Sequence, residues 1–386
     1  MHLEIYDKED CCGCTACVSV CPKQCIKMHL DEMGFLYPVV NSDRCVDCGL
    51  CVGVCHFSKK SRLNVECAAE TSNDLKFYAA QHRDDETLKE SQSGACFTAI
   101  SDWVLSQGGV VYGAVYTPEH VVVHSRAASK QERDAMRGSK YAQSDIRGVF
   151  RNVKQDLQSG LFVLFVGTPC QIAGLSSFIK NGLKEKLILT DIICHGVASP
   201  KIWEDVIKYT EKKYKSRVVD AIYRDKRNFG WRGGITTFKL ADKRLIYRPL
   251  VSIYNENVLR ESCYNCPYAT VERKGDLTIG DFWGVENVEH SMFVPLENGV
   301  SLILCNTEKG QEILNCIKND LTIVRLKPED AIQMNLREST RMPKTFNRFR
   351  ENYKRGFEYA MLQENYIGFK YEIRQMLFRL KRWFLN

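Results

Sequence analysis

The chain has 386 residues, 44% hydrophobic and 26% charged, a balance that excludes wholesale disorder and leaves room for two or three domains. Its net charge of +7 sits at one end. Between 341 and 386 there are 11 Lys/Arg and 4 Asp/Glu, while the rest holds 43 of each sign, which argues against nucleic-acid binding by the body of the protein. Eighteen cysteines are far above ordinary usage, yet the stretch Met1 to Asp10 carries no apolar signal-peptide core. No apolar run nears the ~18–20 residues that span a bilayer. The expected compartment is cytoplasmic with reduced thiols, where clustered cysteines serve metal ligation.

Two cysteine runs dominate the first sixty residues. Cys11, Cys14, Cys17 and Cys21 form C-x2-C-x2-C-x3-C followed by Pro22, and Cys45, Cys48, Cys51 and Cys55 repeat the spacing. Short loops of this kind wrap three thiolates around one face of a cuboidal cluster, and the fourth cysteine turns toward a neighbouring cluster. The ligand sets are therefore Cys11, Cys14, Cys17 and Cys55 for one [4Fe-4S] cluster, and Cys45, Cys48, Cys51 and Cys21 for the other. Structural zinc accounts poorly for two complete runs. The segment 1–60 resembles the bacterial two-cluster ferredoxin domain, with one departure: His56 follows the last cysteine where that pattern has proline. Cys12 and Cys25 are surplus and read as small buried hydrophobes.

After the polar stretch Ser58–Arg62 the pattern alternates between strands and helices from about Leu75 to Asp330. Strands are expected at Phe77–Ala80, Gly109–Tyr116, Val121–His124, Leu161–Val166 and Leu187–Ile193, with helices at Ala95–Leu105 and Gln171–Lys180. The apolar runs flanking the second helix make a βαβ unit with parallel strands. Each of these strands delivers a cysteine at its carboxyl end, Cys170 and Cys194, where open α/β sheets bind ligands. A later pair, Cys263 and Cys266, completes a candidate third four-thiol site. The competing reading is two buried cysteines and a stray pair holding zinc with His195.

The chain has no G-x-G-x-x-G and no G-x-x-x-x-G-K-[ST], so a conventional nicotinamide or nucleoside-triphosphate site is not expected. Ser91–Gly94 and Gly167–Pro169 each precede a helix, where free backbone amides suit an anion. Arg137–Tyr141 sets two cations, a hydroxyl and an aromatic around a glycine. Taken singly, each of these segments is more commonly explained by an unliganded helix cap.

Taken in order, Ser91–Gly94, Arg137–Tyr141, Gly167–Gln171, Cys194–Gly196, Arg224–Lys226 with Trp231, Cys263-x2-Cys266 and Gly280–Gly284 resemble the coenzyme F420 hydrogenase/dehydrogenase beta-subunit family, to which 7-hydroxymethyl chlorophyll a reductase is related. The resemblance covers about 75–340. It implies a mixed α+β or α/β fold: a small bacterial-type ferredoxin domain, then a larger mixed-sheet flavin-binding domain with helices, then a helical tail over 341–386. It further implies FAD, contacted by Ser93, Gly94, Ser139, Lys140, Tyr141, Thr168 and Gln171, and a third [4Fe-4S] cluster on Cys170, Cys194, Cys263 and Cys266. Its members pass electrons between clusters, flavin and a two-electron partner. The partners so implied are a redox protein such as a ferredoxin and a small hydride carrier, coenzyme F420 or a relative. The rival reading is a non-catalytic electron-relay subunit of a larger complex. His195, Arg224, Asp225, Lys226 and Asp281 are the polar candidates near substrate or flavin, with structural ion pairing as their alternative. From Phe369 the tail reads as a basic amphipathic helix, suited to an anionic membrane, to a partner, or to packing on its own domain.

Overall fold

A computed structural model describes residues 8–57 and 75–373. Its centre is an eight-stranded mixed sheet in the order β13-β3-β12-β11-β7-β6-β4-β5. These strands are β3 (Lys76–His82), β4 (Val110–Tyr116), β5 (Val122–Ala127), β6 (Val163–Gly167), β7 (Leu187–Ile192), β11 (Leu277–Asp281), β12 (Ser301–Cys305) and β13 (Leu321–Leu326). The inner four, β4, β6, β7 and β11, are parallel, and antiparallel strands flank them on both sides. The apolar runs of β6 and β7 are buried almost throughout, as covered parallel strands should be. The expected βαβ unit is present, with its helix at Pro169–Phe178. Proline at its first turn costs no hydrogen bond and presets the backbone, so the helix begins two residues earlier than its apolar pattern suggests.

Helices cover both faces of this sheet. Helices Cys96–Ser106 and Glu308–Ile317 pack Ala99, Ile100, Ile313 and Leu314 against Leu164, Ile188 and Ile303. On the opposite face Phe150, Val153, Ile172 and Leu175 meet Phe165 and Leu189, and this cluster also takes in Ala16 and Val54. Those two residues belong to the short helices Ala16–Val20 and Leu50–Val54 of the cysteine-rich segment. The N-terminal segment therefore shares a core with the large sheet. Its hairpin, β1 (Ile26–Leu30) with β2 (Leu36–Val40), adds a second anchor by inserting Met33 and Phe35 beside Trp203 and Val206.

A three-stranded antiparallel sheet, β10-β9-β8, stands apart and has no counterpart among the expected elements. Its strands are β8 (Val218–Ile222), β9 (Ile235–Leu240) and β10 (Leu245–Pro249). Part of the 341–386 stretch packs on its core: Phe349, Ala360, Met361 and Ile367 from and around helices Phe346–Lys354 and Phe357–Gln363 join Phe238 and Leu240. Lys212 and Glu358 pair at 2.6 Å across this contact. The amphipathic stretch expected from Phe369 lies largely outside the described residues. Among those described, no helix is long and apolar enough to cross a membrane.

Candidate functional site

The two N-terminal cysteine runs fold alike. Thr15 (φ 61°) and Gly49 (φ 73°) begin the two short helices in the left-handed region, and Cys21 and Cys55 end them in extended backbone. Three cysteines thus precede or enter each helix, and the fourth leaves it toward the other loop. Cys11, Cys14, Cys17 and Cys55 line one small pocket, and Cys21, Cys45, Cys48 and Cys51 line another. Cys12 also lines the first of these pockets and Cys25 the second. Backbone amides of Gly13, Ala16 and Val18 point at the sulfurs of Cys11, Cys14 and Cys17, the type of contact that sets cluster potentials.

Cys170, Cys194, Cys263 and Cys266 line a third pocket. Cys170 sits in the first turn after β6 and Cys194 just past β7, so both lie at the carboxyl edge of the sheet, and the loop after the turn Glu261–Cys263 brings in the remaining pair. Burial pushes the Cys194 thiol up to about 12 and the Cys263 thiol well above its ordinary value. Cys170 differs among these thiols, because the Cys12 side chain beside it lowers its pKa to about 7. A cationic iron core makes them ligands and releases their protons on binding, so the donor set fits a cluster. Arg273, its side chain buried 3.5 Å from Asp191, acts electrostatically on Cys194 and keeps guanidinium nitrogens without hydrogen-bond partners, a disposition suited to a nearby anionic group.

Beyond this pocket lies a cavity of about 510 Å³, within the size range of cofactor sites. It occupies the carboxyl ends of β4, β6, β7 and β11 and shares Thr168, Cys194, His195, Gly196 and Val197 with the third thiol pocket. Ser93, Ser139, Lys140, Tyr141, Thr168 and Gln171 all line it, and Gly94 does not. Gly94 is a packing position: a Cβ there would lie 2.1 Å from the carbonyl of Ala80. Several expected contacts are already engaged. Ser93 Oγ donates to the carbonyls of Val300 at 2.9 Å and Gly280 at 3.2 Å, and Gln171 Oε1 accepts from the Thr168 amide at 3.0 Å. Lys140 Nζ donates to the carbonyls of Arg137 at 2.8 Å and Ala135 at 2.9 Å, and burial lowers its pKa to about 7. Gln92 Oε1, His124 Nδ1 and Arg137 Nε, on three lining residues, are buried without partners. A charged or polar ligand would satisfy them.

The five polar candidates separate. His195 stands on the wall common to cavity and thiol pocket. Arg224 and Asp281 line the cavity as a pair, Nη1 to Oδ2 at 2.5 Å, and Trp231 Nε1 donates to the other carboxylate oxygen at 2.7 Å. Trp231 and Trp283 stack with ring centres 5.4 Å apart, and the Arg224 guanidinium lies 5.0 Å from the Trp283 ring. Asp225 and Lys226 are not cavity residues. Asp225 caps the helix Lys226–Phe229 by accepting from the Asn228 amide at 3.2 Å. Lys226 Nζ holds the carbonyls of Leu88, Ser91 and Ser93 at 2.6, 3.0 and 2.9 Å, fixing the loop ahead of helix Cys96–Ser106.

Other residues enter that spacing alone did not single out. Cys12 is buried as expected, but among thiols: it lines both the Cys14 pocket and the third pocket. Cys25 lies 3.4 Å from Cys21, sulfur to sulfur. Tyr268 joins His56 at 2.5 Å. The only forewarning was His56 in the proline position.

Comparison with known proteins finds two family matches. Residues 10–59 match the 4Fe-4S dicluster domain, and residues 162–330 match the C terminus of the coenzyme F420 hydrogenase/dehydrogenase beta subunit. A chain of the F420-reducing [NiFe] hydrogenase complex from Methanosarcina barkeri is similar at 16% identity over 72% of this chain and 92% of that one, with a TM-score of 0.47. No curated protein matches. The chain thus carries a segment matching a 4Fe-4S dicluster domain ahead of a segment matching the C terminus of that beta subunit.

Proposed function

We propose, from these two matches and the site geometry, that the protein is an iron–sulfur flavoprotein oxidoreductase. Electrons would run between a one-electron carrier of ferredoxin type, the two N-terminal clusters, a third cluster on Cys170, Cys194, Cys263 and Cys266, FAD in the large cavity, and a two-electron hydride carrier such as coenzyme F420 or a relative. One observation carries the reading: the third thiol pocket and the cavity share a wall, with Cys194 and His195 on it. The domains in this reading are 1–60, 75–340 and 341–386.

A flavin supplies the exchange between one- and two-electron chemistry that clusters alone lack. The chain's own residues have simpler tasks. Arg137, Ser139 and Lys140 offer two cations and a hydroxyl to a pyrophosphate, and Gln92 and His124 offer unpaired polar atoms to a ring system. Asp281 holds Arg224 charged, raising its pKa against the cost of burial, so a fixed cation stays at the cavity wall. Trp283, partly exposed and backed by Trp231, offers an aromatic face beside it. No acid–base triad is needed for electron transfer, and the walls mainly bind, orient and exclude water.

Anaerobically purified protein tests the reading. Bound flavin, with turnover of a deazaflavin or another hydride carrier against an artificial dye, is the expected result. Iron without flavin and no turnover would favour the relay subunit, a reading that draws on the family's being named for one part of a larger enzyme.

A pH effect follows from Lys140. Its lowered pKa of about 7 leaves it neutral above that pH in the empty cavity, and an anion must restore its proton on binding. The affinity of flavin-stripped protein for FAD should therefore fall as pH rises from 7 to 9, by up to about tenfold per unit. Lys140→Gln should bind more weakly at pH 7 and with a flat profile. Titration of flavin fluorescence reads both, and an unchanged pH slope in the variant would assign the effect elsewhere.

A further inference from the structure

His56 breaks the ferredoxin pattern, and the structure gives it two partners from distant parts of the chain. Its Nδ1 lies 2.5 Å from the Tyr268 hydroxyl, two residues beyond Cys266, and its Nε2 lies 3.4 Å from Cys14 Sγ. A neutral imidazole carries one N–H. Cys14 as a cluster ligand is a thiolate and can only accept, so the hydrogen belongs on Nε2 and the Tyr268 hydroxyl donates to Nδ1. Tyrosine thereby fixes the tautomer, as a carboxylate or carbonyl does behind a metal-bound histidine.

Cys12 completes the contact. Its sulfur lies in hydrogen-bonding reach of both Cys14 and Cys170, one from the N-terminal set and one from the inner set. The ligand atoms of Cys12, Cys14 and His56 all lie within 4.8 Å of one another. Gly174, one turn beyond Cys170, makes room: a Cβ there would come within 2.9 Å of Cys14 Sγ and 3.2 Å of His56 Nε2.

We propose that His56 and Cys12 are positioning residues of the passage between the N-terminal clusters and the inner cluster. His56, held by Tyr268, donates to the Cys14 thiolate and raises the potential of the cluster on Cys11, Cys14, Cys17 and Cys55. Cys12 fills the gap between Cys14 and Cys170 without ligating either cluster. One electron crosses at a time, no bond forms or breaks, and the histidine proton stays on Nε2. The passage thus favours the Cys14 cluster as the N-terminal member that exchanges electrons with the interior. The proposal rests on the inner-cluster reading above.

The test uses the full chain, reconstituted anaerobically, with iron counted before potentials are measured. About 12 irons in the wild type support the inner cluster, whereas about 8 remove it and the passage with it. Given about 12, a potentiometric titration followed by electron paramagnetic resonance compares His56→Ala, His56→Gln and Tyr268→Phe. His56→Ala should move one N-terminal wave to lower potential by at least a tenfold change in the reduced-to-oxidised ratio, about 59 mV for one electron. Glutamine retains an N–H and should restore much of the shift, and Tyr268→Phe should fall between. Equal potentials in His56→Ala and wild type, with iron retained, would overturn the role of His56 and leave the inner cluster standing. Cys12→Ala should keep all the iron. Loss of about four irons would make Cys12 a ligand, and zinc that disappears in His56→Ala would make Cys12, Cys14 and His56 a mononuclear metal site. Either result overturns the passage.

Discussion

Exchanging both Cys263 and Cys266 for serine is expected to take iron from about 12 to about 8 atoms per chain and to disconnect the N-terminal clusters from the cavity. Half the inner ligands lie in this one loop, and the other two, Cys170 and Cys194, hang from different strand ends, so two thiols cannot hold a cubane alone. The loss should be selective. The N-terminal pockets share no cysteine ligand with the inner one, and their helices are anchored independently through Ala16 and Val54. Signals of the two N-terminal clusters should therefore persist while dye reduction through the cavity falls to background. Unchanged iron would show that this loop ligates nothing, and zinc in the inner pocket of the wild type would turn the site into a structural one.

How much of this was legible beforehand depended on whether the chemistry was local. The two N-terminal cysteine pockets are legible because consecutive spacing forces the loop, and the fourth cysteine's turn toward the other loop follows from where each short helix stops. The parallel strands β6 and β7 are legible as unbroken apolar runs. β8 is not: only Val218 and Ala221 of its five residues are buried, a pattern that alternation does not pick out. β9 fails differently: Thr236 and Thr237 are buried but polar, and with the exposed Lys239 they break the apolar pattern. Sequence also cannot distinguish a charge that faces a ligand from one spent on the backbone. Arg224, Asp225 and Lys226 are neighbours, yet Arg224 lines the cavity, Asp225 caps a helix and Lys226 clamps three carbonyls. Cys12 and His56 acquire their meaning only when helix Pro169–Phe178 brings Cys170 and Gly174 against the N-terminal loops.

The same docking makes Arg260 the second large expected effect. It is fully buried, and each arm of its guanidinium ties a different segment: Nε to the Cys11 carbonyl at 2.8 Å, Nη1 to Gln143 Oε1 at 2.8 Å, and Nη2 to the Leu36 carbonyl at 3.0 Å. Its plane also lies 4.1 Å from the Tyr37 ring centre. Gln143 in turn donates to the Cys12 carbonyl at 2.8 Å, so one arginine fixes the first cysteine loop, the hairpin and the approach to the inner site together. Arg260→Met keeps the bulk and removes the donors, leaving the Cys11 and Leu36 carbonyls and Gln143 Oε1 without this partner, at about 1–3 kcal/mol for the buried Cys11 carbonyl and less for the part-buried pair. Gly13, whose missing Cβ would sit 3.0 Å from Arg260 Nη1, shows how closely the loop is drawn in. The variant should melt earlier, exchange amide hydrogens faster over residues 8–57, and deliver electrons to the inner cluster more slowly while still binding iron at all three sites. Arg260→Lys should recover little, because a single ammonium cannot span three directions. If Arg260→Met exchanged no faster than wild type over the cysteine loops, the apolar anchors Ala16, Val54, Met33 and Phe35 alone would be sufficient to hold the N-terminal segment in place.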